Sequence, residues 1–406
     1  MVDILGLISI LIVILTYMIV GLRNSAIFNI IVVGLVLRIL IILFGYLIPL
    51  PDSGSDARAF EIIAWSMAQD GFFNVFKHYP GMDSRFYSFV LAIPYSLFGR
   101  SILMAKSISL FFGMGSIFLG WLLAKKIYNE SIAKNVGLII ALFPTLILYS
   151  ALTMREVFVT FFILVAFFGV IGWVKTESLI SIILALFGFV SASFFHGSML
   201  VGAIFFLIIV IFLSLKKFLK LFSKLKINKN NLIIITLSII ILAFYFSNKI
   251  NIPKIGTFET SMNISTLIDK VFHKSDSSYP DFLKMNSAVE FIYKSPIRAI
   301  YFVFSPFPWD ISKIGHFIGL IDSFLYLFLF YLIICNRKII LNDTSLTITF
   351  LILAGYFFVF GIGVDSFGSG IRHRSKFTIL IILLAAPLIP KIILRTNNKL
   401  PDVSLK

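Results

Sequence analysis

Cysteine occurs once in this chain, at Cys335, which rules out a disulfide framework. Histidine is nearly as rare, with five residues, and His78, His273 and His316 lack the spacing of metal ligands, so a His-based metal site is not supported. Charge is scarce too. Only 13% of residues are charged against 59% hydrophobic, a balance that excludes an ordinary soluble domain. Within the apolar runs a charge is rarer still, essentially Arg38 alone. That scarcity, with no internal repeat, argues against a transporter, which carries charges deep in its helices and pseudo-symmetric halves. No low-complexity linker and no soluble segment of domain size is found. The first apolar stretch has no basic region before it, so it reads as a helix and not as a cleaved signal.

Long apolar runs, by contrast, are abundant. About 20 apolar residues cross a bilayer core. Runs of that order predict eleven spans, at 4–22, 27–49, 101–124, 132–150, 157–174, 179–194, 197–214, 232–247, 316–335, 346–363 and 375–394. The expected fold is an all-α polytopic membrane protein, a single integral domain over 1–406. With the N-terminus outside, the inner segments hold Arg23, Lys125, Lys126, Lys134, Lys175, the lysine run from Lys216 to Lys229, Arg337, Lys338 and the basic tail. Their only acids are Glu130, Glu177, Asp343 and Asp402, so the bias of basic residues sets the N-terminus outside and the C-terminus in the cytoplasm. The net charge of +16 follows from that bias and from anionic inner-leaflet lipid, without nucleic acid as a partner.

The mass outside the membrane is then concentrated on the outer face, in an acidic loop at 51–100, a second long loop at 248–315 and a short segment at 364–374. Between Ala57 and Ala68 the residues Phe60, Ile63, Ala64 and Met67 form one helical stripe, with Arg58 and Glu61 off it, as for a helix on the membrane surface. Phe86 to Gly99 is apolar but too short to span. It predicts a second interfacial helix, and Pro296 to Pro308 a third.

Acids cluster where the second span ends, in Pro51-Asp52-Ser53-Gly54-Ser55-Asp56. Asp52 and Asp56 there serve either as turn and cap residues or as groups that hold a cation or accept a proton. Glu156 opens a span beside Arg155, where a helix dipole favours it. After the Gly-rich segment 365–370 come Arg372, His373 and Arg374, whose guanidinium forks match phosphate oxygens or snorkel to the interface. Arg85 flanks a helix and His196 lies between two spans. A divalent cation held by Asp52, Asp56 and Glu156 is compatible with the sequence. The aromatics Phe72, Phe73, Phe76, Tyr79, Phe86, Tyr87 and Tyr95 are candidates to line a groove for a lipid chain or sugar.

The order of these pieces resembles the GT-C superfamily of membrane glycosyltransferases, especially the branch of protein O-mannosyltransferases and lipid A aminoarabinose transferases. It rests on the outer acidic motif before a surface helix, Leu97-Phe98-Gly99, the inner turn Lys125-Lys126, Pro144 and Glu156. It continues in Phe195-His196-Gly197, in Phe307-Pro308-Trp309 and in Arg372-His373-Arg374-Ser375-Lys376. The chain departs from that pattern in having Ala57 after Asp56, Asp83-Ser84-Arg85 in place of Lys-Pro-Pro, and an extra first span. The resemblance implies a transferase with a polyprenyl-phosphate or diphosphate sugar donor and an envelope glycan, lipid or protein acceptor. It implies Asp56 as base, Asp52 as second candidate, Glu156 as acceptor-orienting acid, and Arg372, His373, Arg374, Arg85 and His196 at the donor phosphate. A surface-polysaccharide polymerase is the nearest alternative, and a flippase for lipid-linked oligosaccharides the alternative of another class.

Overall fold

The computed structural model describes residues 3–222, 279–285, 288–311 and 314–390. The expected span 232–247, residues Lys224 to Lys229, His273 and most of the loop 248–315 lie outside them, as does the His316 side chain. No strand occurs among the described residues. In chain order the longer helices are α1 (Ile4–Arg23), α2 (Phe28–Phe44), α3 (Ser55–Ala68), α4 (Phe72–Val75), α5 (Phe86–Phe98), α6 (Ile102–Ile127), α7 (Glu130–Leu142) and α8 (Pro144–Ser150). They continue as α9 (Glu156–Thr176), α10 (Leu179–Phe195), α11 (Leu200–Phe222), α12 (Ala288–Phe304), α13 (Ile314–Cys335), α14 (Arg337–Asn342), α15 (Thr344–Gly363), α16 (Phe367–Arg374) and α17 (Thr378–Ala385). Among the described residues six helices are long and apolar enough to cross a bilayer, or seven if the bent pair α7 and α8 is one span. Their outward faces, such as Leu7, Leu11 and Leu15 on α1, are exposed apolar surface that only lipid accommodates. The chain is a membrane protein.

The expected span 132–150 breaks at Phe143, and its halves meet at 60°. Pro144 causes the break. It has no N–H to give to the Ile140 carbonyl, and it holds Phe143 extended (φ −68°, ψ 121°). Buried Arg38 of α2 repairs the loss by donating to the carbonyls of Ile140 (3.3 Å) and Ala141 (3.1 Å) and to Ser150 Oγ (3.3 Å).

Two other expectations shift. The stripe of α3 that is buried runs through Ala57, Phe60, Glu61, Ala64 and Ala68, because α3 leans on α5 and not on the membrane alone. Glu61, read as facing away, is instead buried under Arg100 (2.9 and 2.7 Å) and Tyr95 (3.1 Å). The Gly-rich segment at 365–370 is not all turn. Helix α16 already begins at Phe367 and runs through a 3₁₀ turn at Ser375–Phe377 into α17. Every residue of α17 is buried, from Thr378 to Ala385, so this most uniformly apolar helix is the enclosed centre of the bundle and not a lipid-facing span. Helices α9 and α10 pack with their backbones nearly touching. A Cβ on Gly169 would stand 2.3 Å from the Ala185 nitrogen, and one on Gly188 2.3 Å from that of Ala166.

Candidate functional site

At the bundle end that holds α3, α5 and α16, three elements bring acids and bases together. The loop after α2 supplies Asp52 and, in the first turn of α3, Asp56. The start of α9 supplies Arg155 and Glu156. The junction of α16 and α17 supplies Arg372, His373 and Lys376.

Arg372 joins the three. Its Nη1 donates to Asp56 Oδ2, and its Nε lies 3.6 Å from Glu156 Oε1. Lys376, four residues on and therefore on the same helical face, places Nζ 3.7 Å from the same Glu156 oxygen. Arg155 Nε adds a third cation at 4.0 Å. The Glu156 side chain is 1% exposed and neither of its oxygens has a hydrogen bond, so its charge is balanced by cations held slightly beyond bonding distance. A residual space of about 10 Å³ lies beside it, bordered by Arg38, Tyr149, Thr160 and Ser375, about the size of one water. Asp56, by contrast, is 45% exposed, which puts the reachable end of the cluster at the α3 side.

Asp52 sits in the left-handed region (φ 59°), which Asp tolerates better than most residues. Its carboxylate accepts from Tyr149 Oη at 2.7 Å. Although the residue lies at the surface, that carboxylate turns inward against a buried tyrosine. Partial burial then raises its pKa above the usual carboxylate range, with Glu156 and Asp56 adding to the rise against the Tyr149 hydrogen bond and Arg372. Around Arg372 the balance is different: burial works to lower its pKa, but the Glu156 and Asp56 carboxylates more than offset that and raise it. His373 is driven well below the ordinary imidazole range, first by burial and then by Lys376 and His196, so it is neutral. Its Nδ1 stands 2.7 Å from Lys376 Nζ. An ammonium only donates, so Nδ1 accepts and the ring proton is assigned to Nε2. The His196 ring packs edge-on against it, with centroids 4.9 Å apart.

Not every expected residue joins. Arg374 points the other way and is 0% exposed. Its Nε and Nη2 bond Asp322 (3.1 and 2.7 Å), Nη2 also bonds Ser323 (3.1 Å), and Nη1 bonds the carbonyls of Val303 (3.0 Å) and Ser305 (2.5 Å). All five guanidinium hydrogens are thereby used, leaving none for a phosphate. Arg85 is exposed and engaged by Asp83 of its own turn at 3.2 Å. The aromatic set packs ring on ring, as in Phe72 with Phe76 (5.6 Å) and Phe86 with Phe195 (5.1 Å); Tyr87 and Tyr95 are buried, while Phe73, Phe76 and Tyr79 are exposed at the surface around α5.

Comparison with known protein families, with curated proteins and with solved structures finds no match.

The site's chemistry therefore rests on its own atoms. Among the described residues no group of three His, Cys, Asp or Glu is arranged to hold a metal ion. The three acids weighed as a cation site do not converge on one point; Arg372 stands between Asp56 and Glu156, and Tyr149 holds Asp52. Lys376 and Asp322 were missed as single residues. The signal for Lys376 was its spacing of four from Arg372, and for Asp322 its being an acid inside an apolar run. Asp322, buried inside the expected span 316–335, and Lys106, inside the expected span 101–124, also correct the expectation that Arg38 is essentially the one charge within the apolar runs.

Proposed function

We propose that this chain is an integral membrane glycosyltransferase of GT-C type. It moves a sugar or oligosaccharide from a polyprenyl phosphate or diphosphate to an envelope acceptor on the outer face of the cell membrane, with eleven crossings, N-terminus outside and C-terminus inside. The observation that carries the reading is Arg372 joining a half-exposed Asp56 to a buried Glu156.

In this reading the guanidinium changes partners. When a donor phosphate arrives, Arg372 turns from Asp56 to the phosphate oxygens, which it fits bidentately, and Asp56 is released to act as base. The acceptor hydroxyl gives its proton to Asp56, its oxygen bonds the anomeric carbon, and the bond from that carbon to the phosphate oxygen breaks. The electron pair leaves with the phosphate, where Arg372 stabilises it. One in-line displacement inverts the anomeric centre. Glu156, out of reach of solvent, positions Arg372 and Lys376. Asp52, with its raised pKa, is the second candidate base.

The buried Asp322–Arg374 pair is what a transport reading would build on, but Arg374 spends all its donors on Asp322, Ser323 and the Val303 and Ser305 carbonyls, which favours a structural anchor. Purified protein in lipid, given radiolabelled polyprenyl-phosphate sugar and crude envelope acceptors, tests the proposal. Asp56→Asn is expected to lower transfer by roughly 10²-fold or more, and Arg372→Ala to abolish it. Transfer unchanged in Asp56→Asn would remove the base, and lipid translocation without bond formation would favour the flippase.

A further inference from the structure

A separate groove of about 620 Å³ opens between the 45–50 loop, the start of α3 and the first turns of α6. One wall is apolar and outward-facing, with Leu47 81% and Ile48 53% exposed. Arg58, Arg100 and Lys106 also line it, with the single acid Glu61. Arg100 already spends its charge on Glu61, through a pair at 2.9 and 2.7 Å. Neither Arg58 nor Lys106 has a carboxylate partner among the described residues; Lys106 lies over the Tyr46 ring at 4.4 Å. Among the described residues, two cations without a carboxylate partner thus border an apolar wall, at a level where Lys106 is only one turn inside a helix long and apolar enough to span a membrane.

We infer that this groove binds a lipid through its phosphate headgroup, with Arg58 and Lys106 on the phosphate and the chain along the Leu47–Ile48 wall. Charge decides the sign of the ligand: an unpaired cation at a bilayer edge is stabilised by an anion, and a zwitterionic headgroup offers less net attraction. The apolar wall decides that the anion is attached to a chain, since free phosphate would leave Leu47 and Ile48 in water. The groove does not use the Arg372 cluster, so the inference stands whether or not the chain transfers sugars. Its inner end is bordered by Ser53, Ala57 and Thr153, which set it beside the loop carrying Asp52 and Asp56.

Native mass spectrometry of the purified full chain, exchanged in detergent against phosphatidylglycerol or phosphatidylcholine, reads the binding directly. Phosphatidylglycerol is expected to be retained in preference, and Arg58→Gln to weaken that retention about fivefold, the effect of one cation near an anionic lipid surface. Adding Lys106→Gln weakens it about fivefold again, while Arg372→Ala leaves it unchanged. Arg58 is exposed, so the single variant folds, and a melting curve on each sample confirms it. Equal retention of both lipids, retention indifferent to Arg58→Gln, or displacement of the lipid by millimolar inorganic phosphate would each overturn the inference.

Discussion

Arg374 and Arg372 are two residues apart and do opposite work. The same pattern explains Arg38 and Arg298: a buried guanidinium meets the carbonyls that a helix leaves unpaired at its C-terminus. Arg38 does this for α7, Arg374 for α12 through Val303 and Ser305, and Arg298 for α15 through Gly361 (3.1 Å), Ile362 (3.2 Å) and Val364 (2.6 Å). Arg372 meets carboxylates instead and keeps 17% of its side chain exposed. The two arginines should therefore fail differently. Arg374→Ala leaves Asp322 buried without its cation and is expected to cost roughly 3–5 kcal/mol, seen as a large drop in melting temperature. Arg372→Ala, at the half-open cluster, should melt much closer to the parent while losing transfer. Equal melting of the two variants would contradict the division.

At the scale of elements, the tightest junction is α9 against α10, where small residues let the backbones meet. Gly188→Leu is expected to destabilise by at least about 1–3 kcal/mol through overpacking, whereas Gly363→Ala, with nothing within 4 Å of its added carbon, should be nearly silent in the same melting experiment. A silent Gly188→Leu would mean the two helices are free to part. How legible these elements were in the sequence depends on where their cause lies. Helix α5 was expected over 86–99 and forms over Phe86–Phe98, because Arg85 and Gly99 bracket its apolar residues locally. The start of α16 was not legible: Gly368 and Gly370 disfavour helix, and what holds them helical is tertiary, the anchoring of Arg372 on Asp56 316 residues away and of Arg374 on Asp322 52 residues away. The same holds for the site. Asp56, Glu156 and Arg372 declared themselves by type and position, but whether Arg372 or Arg374 faced Glu156 depended on helix rotation, which the pattern of three consecutive basic residues does not fix.

For the whole molecule, every proposed role depends on one end of the bundle facing out. With Cys335 replaced, a cysteine introduced at Asp70 on the end carrying α3 is expected to react with a membrane-impermeant thiol reagent on intact cells, and one at Glu177, at the opposite end, only after lysis. The reverse pattern would move Asp56 and Arg372 to the cytoplasmic side. The bundle also has an order of assembly written into it by Arg38. Its acceptors at Ile140 and Ala141 lie 102 and 103 residues downstream, so α2 is synthesised long before they exist. At about 5–20 residues per second, the wait lasts roughly 5–20 s. Within its own helix the folded chain offers the guanidinium only the Gly34 carbonyl, at 3.3 Å, and an arginine at the middle of a helix costs roughly 2.5–3.5 kcal/mol to pass into lipid. Helix α2 alone is thus expected to enter the bilayer less readily than its apolar length suggests, and to be secured there once the proline-broken α7–α8 pair supplies acceptors for its charge.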